Sequence, residues 1–262
     1  MRGSGLKISL QASFVGALVG IPVIGLINGF TLECTPFTLL MAVLNSLNGI
    51  VLSFCSFKAL GMINLSLYSV FMMLGGMVLP FVQGLLFYGD EVTLAKGVCF
   101  LLIVLAILVT FEHGAGKRKG GTIYYVGVFV LNGMSGVLSK LFTSAPYEKA
   151  SAAGYSILTA MVTLVISGSV LFFLRYMKVS RLTAKSVGVC AANGILNRLG
   201  NYLLVVALMN VEASVQYPMV TGGVIIVSTF AAFCTRSRPS KRELLSVVFA
   251  FCGTLSVFVI PV

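Results

Sequence analysis

The sequence predicts an all-α polytopic membrane protein of nine transmembrane helices, four plus five, arranged as two inverted-topology repeats. Three observations carry this reading. Hydrophobic residues make up 58% of the chain and charged residues 10%, with a mean hydropathy of +1.04; a soluble domain carries about a quarter charged residues. Nine apolar runs approach the roughly 20 residues that a helix needs to cross hydrocarbon. Residues 59–110 also repeat the layout of residues 207–260. A shift of 148 lays Ala59 and Leu60 on Ala207 and Leu208, Ser66 on Ser214 and Gly75 on Gly223.

In chain order the runs fall at 13–30, 37–57, 65–87, 92–111, 122–142, 152–174, 187–208, 213–234 and 244–260. They are too long and too rich in glycine for the short alternating strands of an outer-membrane barrel. Arg2 and Lys7 precede the first run and no small-residue cleavage site follows it, so it is expected to be a retained span.

The loops alternate in charge. One side holds Arg2, Lys7, Lys58, Lys117, Arg118, Lys119, Arg175, Lys178, Arg181, Lys185, Arg236, Arg238, Lys241 and Arg242, against the acids Glu112 and Glu243. The other holds Lys96, Lys140 and Lys149 with Glu33, Asp90, Glu91, Glu148 and Glu212. Basic loops stay in the cytoplasm. The bias therefore places the N-terminus inside and the C-terminus outside a cell (cytoplasmic) membrane crossed many times. In the repeat, the acidic loop at Asp90 and Glu91 corresponds to the basic loop from Arg236 to Arg242, and Lys58 sits between the first two runs of one copy while Glu212 sits between those of the other. The two copies are thus expected to be oppositely oriented, as in many secondary transporters. The same bias accounts for the net charge of +11. No basic patch is interleaved with aromatics, and no nucleic-acid partner is expected.

Few residues offer chemistry. The one histidine, His113, lies in a Gly-rich basic stretch ending at Gly121 that lacks phosphate-loop spacing. Residues 114–121 read as a basic linker between a first half, 1–113, and a second, 122–262. The six cysteines show neither disulfide nor zinc spacing. No catalytic motif is present, so no enzyme, metal or cofactor is expected.

Polar residues within the runs are more informative, because polar groups in hydrocarbon turn towards the bundle interior or a wet cavity. Asn193, Asn197 and Asn201 recur every four residues in the seventh run and share one helical face, with Arg198 on its flank. No membrane-embedded Asp or Glu is available to pair with Arg198, which suggests contact with an anionic group of a substrate. The bland alternative is packing glue between helices. Smaller polar groups occur at Asn45 and Asn48, at Asn132 and Ser135, at Tyr68 and Ser69, and at Gln216 and Tyr217. All are candidate cavity-lining, substrate-binding residues. Gly75, Gly76, Pro80, Pro218, Gly222 and Gly223 suit close helix packing or hinges.

The stretch from Phe57 through Asn64-Leu65-Ser66, Gly75-Gly76 and Pro80 to Gly89-Asp90-Glu91-Val92-Thr93 resembles the drug/metabolite transporter superfamily, EamA-type. Gly89 and Asp90 stand where that family carries its Gly-Glu signature. The second half matches by layout, and Lys241-Arg242-Glu243 keeps an acid there without the glycine. The resemblance implies ten helices in two inverted five-helix halves around a central substrate cavity. Aligned on Gly89-Asp90, the first run here corresponds to the family's second helix, so the resemblance implies a missing first helix, through either an N-terminally truncated reading frame or a nine-span variant. Family members commonly have a cytoplasmic C-terminus, opposite to the orientation that the loop charges give.

The expected function is a secondary transporter that moves small metabolites or drugs by alternating access through a central cavity. Its partners would be a small-molecule substrate, the lipid bilayer and, for coupled transport, an ion. The alternative is a non-transporting membrane scaffold or partner subunit.

Overall fold

The computed structural model describes residues 4–62, 65–91, 93–109, 122–173, 184–234 and 241–260 of the 262. The regular structure among them is helical throughout: α1 (Ser4–Ile27), α2 (Pro36–Leu60), α3 (Leu65–Phe87), α4 (Leu94–Val109), α5 (Thr122–Ser144), α6 (Ala152–Phe173), α7 (Ala184–Leu208), α8 (Ala213–Cys234) and α9 (Lys241–Val259). The 114–121 linker and most of the basic loop residues lie outside the described residues.

Six of these helices, α1, α2, α3, α5, α6 and α9, are long and apolar enough to cross a membrane. Helix α4 and residues 213–227 of α8 are apolar but shorter. Helix α7 has the length, at 25 residues, but carries Lys185, three asparagines and Arg198 and falls outside the six.

Local chemistry sets the helix ends. Thr35 caps α2, its Oγ1 accepting the N–H of Thr38 at 3.2 Å, with Pro36 next, where its missing N–H costs nothing. Ser151 caps α6 through the N–H of Gly154 at 3.1 Å. The first run was expected to extend to residue 30, yet α1 stops at Ile27. Gly29 and Phe30 take left-handed backbone conformations, φ 59° and 56°, and the Phe30 N–H turns back to the Gly25 carbonyl at 2.8 Å.

The chain forms two compact units, Met1–Lys58 with Leu138–Met209, and Ala59–Val137 with Asn210–Val262. Each draws on both sequence halves. In the first, α1 packs against α6 and α7. Helices α1 and α7 run parallel: Gly16 meets the Gly194 backbone and Gly20, one turn on, meets the Arg198 side chain. A Cβ at Gly16 would lie 3.2 Å from the Gly194 Cα, so only small residues allow this approach. Helix α6 runs antiparallel to α1, with Gly168 on Phe14 and Ala153 and Ile157 around Ile24. The unit's core gathers Met41, Ala42, Leu138, Phe142, Tyr155, Leu158 and Val205. Phe142 and Tyr155 stack at 4.0 Å, an arrangement that adds about 0.5–1.5 kcal/mol.

In the second unit α4 and α9 lie antiparallel. Ser246 and Ser256 of α9 donate to the carbonyls of Ala106 and Ala95, at 2.7 and 3.4 Å. Gly253 meets Leu102 and the Cys99 carbonyl between them. Helix α8 packs on α9 and α3 around Met77, Cys99, Ile103, Ile107, Ile225 and Ala250.

Candidate functional site

The residues singled out by sequence divide between the two units. In the first, Arg198 of α7 turns away from the asparagines beside it. Its Nη2 donates to Thr163 Oγ1 on α6 at 3.1 Å. Thr163 Oγ1 and Ser46 Oγ on α2 lie 3.1 Å apart, and Ser46 donates to the Thr159 carbonyl at 2.9 Å. Three helices thus share one polar chain that ends on a guanidinium. The absence of a Cβ at Gly20 makes room for the Arg198 stem, whose Cγ would lie 2.7 Å from one.

The asparagine stripe lies elsewhere on α7. Asn193, Asn197 and Asn201 are exposed, and Asn201 Nδ2 donates to Asn197 Oδ1 at 2.8 Å and to its carbonyl at 2.9 Å. Asn197 and Arg198 are separated by about 100° around the helix, so the stripe and the cation serve different faces. On α2, Asn45 is half-buried and Asn48 buried.

Sequence inspection missed the α6 face that receives Arg198. Tyr155, Thr159, Thr163 and Ser167 recur every four residues, and all are buried. The last three donate to the carbonyl one turn back, at 2.8, 2.7 and 2.6 Å. That spacing was as legible as the asparagine stripe, as was Gly16-x-x-x-Gly20 on α1. The Tyr155 side chain is 2% exposed and its hydroxyl has no hydrogen-bond partner. It lies near the Asn45 and Thr159 side chains and within electrostatic reach of Arg198.

In the second unit two of the expected lining residues bond across helices. Asn132 Nδ2 donates to the Met72 carbonyl at 2.7 Å, and Tyr217 Oη donates to the Gly136 carbonyl at 3.1 Å. Ser135 bonds the Leu131 carbonyl within its own helix at 3.3 Å. Tyr68 Oη points to Met72 Sδ at 3.8 Å, Ser69 is half-buried, and Gln216 is buried. Gly75 admits the Phe129 backbone, Gly76 the Asn132 amide, and Pro80 lies against Gly136. Gly222 faces Thr254 and Ile103, whereas Gly223 faces open space. Pro80 and Pro218 are fully buried.

Gly89, with φ 67°, turns the chain out of α3, and the Asp90 N–H returns to the Gly84 carbonyl at 3.2 Å. Asp90 is buried, and its Oδ2 accepts the Ser214 N–H at 3.1 Å. Beside it, Lys96 Nζ pairs with Glu212 and donates to the Glu91 carbonyl at 2.8 Å. The loop of Gly89, Asp90 and Glu91 therefore anchors the start of α8.

No family model matches the chain and no curated protein matches it. Among solved structures, 29 chains match. One of them, a crystal structure of a protein, aligns at a TM-score of 0.72 and 14% identity, over 96% of this chain and 86% of that one. At that identity the likeness shows the fold alone. These findings give, among the described residues, a helical fold shared with a solved protein, with six helices long and apolar enough to span a membrane.

Proposed function

We propose that this protein is a secondary transporter of the EamA-type drug/metabolite class, moving small metabolites or drugs across the cell membrane by alternating access. The observation that carries the reading is the register of the helices. Adding 148 to the bounds of α2, Pro36 and Leu60, gives 184 and 208, the bounds of α7. The same shift takes the start of α1 to that of α6, and the start of α3 to that of α8. It takes the start of α4 to within one residue of the start of α9. A repeat weak in identity is therefore strong in layout, and its loop charges reverse. Oppositely oriented copies are the architecture in which a site near the membrane middle is exposed to each side in turn.

Helix directions agree with nine alternating spans. Odd-numbered α1 and α7 run parallel, α1 and α6 antiparallel, and α4 and α9 antiparallel. On this reading α7 is a span in spite of Arg198, and its polarity serves the substrate. Driving force would come from an ion gradient or the substrate's own gradient. Saturable uptake of a solute by proteoliposomes holding the purified protein tests the proposal. Fluxes equal to those of empty liposomes across amines, amino acids, carboxylates and sugars would refute it.

A further inference from the structure

Arg198 and Tyr155 each have an incomplete set of partners, and they lie within electrostatic reach of one another. A guanidinium offers five N–H donors in a plane. Among the described residues Arg198 spends one bond on Thr163 Oγ1, and its charged or titratable neighbour is Tyr155. Among the described residues no carboxylate pairs with it. The Tyr155 hydroxyl is buried, beside the Asn45 and Thr159 side chains, and makes no hydrogen bond of good geometry. Buried polar groups are otherwise almost always satisfied. Both groups are donors, and both lie beside the Asn45 side chain or the Thr159–Thr163 face of α6.

We propose that Arg198, Tyr155 and Asn45 form a binding site for a small monocarboxylate. The planar carboxylate lies along the free edge of the guanidinium, two oxygens against two N–H groups, the geometry guanidinium favours. The Tyr155 O–H donates to one of those oxygens, and the Asn45 amide sits at the ligand's edge. Among the described residues Arg198 is the one cation at this place, and one cation balances a single negative charge. That selects a monocarboxylate over a phosphate dianion. The hydroxyls of Ser46 and Thr163 hold the guanidinium in place and do not contact the ligand. The proposal names the substrate class of the transport reading, and rests on that reading only in taking the bound anion to be the one moved.

The test is binding to the full-length protein in detergent, followed by thermal unfolding and by isothermal calorimetry. The probes are acetate, lactate, pyruvate, benzoate and octanoate, with benzamide, chloride and inorganic phosphate as comparators. At least one monocarboxylate is expected to stabilise the protein saturably, and benzamide, chloride and phosphate are not. Tyr155→Phe removes one oxygen from a packed site and should weaken that binding about tenfold, as expected for one hydrogen bond to a charged group. Arg198→Lys should weaken it at least as much. Unliganded unfolding of each variant near the wild-type temperature establishes that both are folded. Tyr155→Phe serves alone if Arg198→Lys does not fold. The site is overturned if no monocarboxylate binds, if a comparator binds as well, or if Tyr155→Phe binds unchanged. Binding without flux upholds the site and counts against transport; flux with unchanged Tyr155→Phe binding does the reverse.

Discussion

The Asp90 carboxylate receives the backbone N–H of Ser214 at 3.1 Å, so the loop that leaves α3 caps the first turn of α8. The first unit repeats the device. Glu33, in the loop that leaves α1, receives the Ser151 N–H at 2.7 Å where α6 begins. At the 148-residue shift α8 is the counterpart of α3, and α6 that of α1. In each case a carboxylate answers the unsatisfied N–H groups and the positive end of a helix dipole. Both carboxylates belong to the loop set that is poor in basic residues.

Asp90→Ala should therefore destabilise the protein by about 1–2 kcal/mol, the usual cost of losing an N-cap oxygen. Asp90→Asn, which keeps the acceptor, should cost less. Thermal unfolding in detergent checks this. A loss of a few degrees with Ala and about half of it with Asn is expected, and equal effects would mean that the side-chain oxygen does not act as a cap.

Adjacent glycines should behave oppositely. A Cβ at Gly222 would sit 2.7 Å from Thr254 Cγ2 and 2.8 Å from Ile103 Cδ1, while one at Gly223 meets nothing within 4 Å. Gly222→Ala is expected to lower stability by about 1–3 kcal/mol through overpacking. Gly223→Ala is expected to be neutral or to gain up to about 1 kcal/mol from helix propensity. Unfolding midpoints of the two variants, measured side by side, decide it.

These contrasts mark how far sequence reading goes. The third run was placed at 65–87, and α3 is Leu65–Phe87. Hydropathy locates such helices because lipid-facing and buried positions are both apolar. It does not tell which polar residue meets which helix. Arg198 reads as the flank of the asparagine stripe on α7, and the cation bonds Thr163 while Asn201 bonds Asn197. A one-residue offset turns a side chain by about 100°, and the neighbours that decide its use come from distant sequence. Asn132 and Tyr217 likewise read as lining but bond the carbonyls of Met72 and Gly136. The Tyr155–Ser167 face escaped because hydroxyls that bond their own helix scarcely interrupt an apolar run.

The Lys96–Glu212 pair should contribute little. Lys96 is 9% exposed and Glu212 48%, and water screens a half-exposed partner. A double-mutant cycle with Lys96→Ala and Glu212→Ala should give a coupling under about 1 kcal/mol. A larger value would show that the loop acts as a closed, water-poor latch.

The loop charges predict an orientation. Cys34 is exposed between α1 and α2, on the side expected to face outward. As the sole cysteine it should react with a membrane-impermeant maleimide in intact cells. Ser237→Cys in a cysteine-free background should react only after permeabilisation. The reverse pattern would invert the assignment.

Alternating access is tested most directly by counterflow. Proteoliposomes loaded with unlabelled substrate should take up the labelled compound faster than unloaded ones, and saturably, because the loaded carrier returns with cargo. Arg198→Gln should abolish that stimulation. Uptake that rises linearly with concentration and ignores internal substrate would indicate a pore, and would contradict two inverted repeats exposing one site to each side in turn.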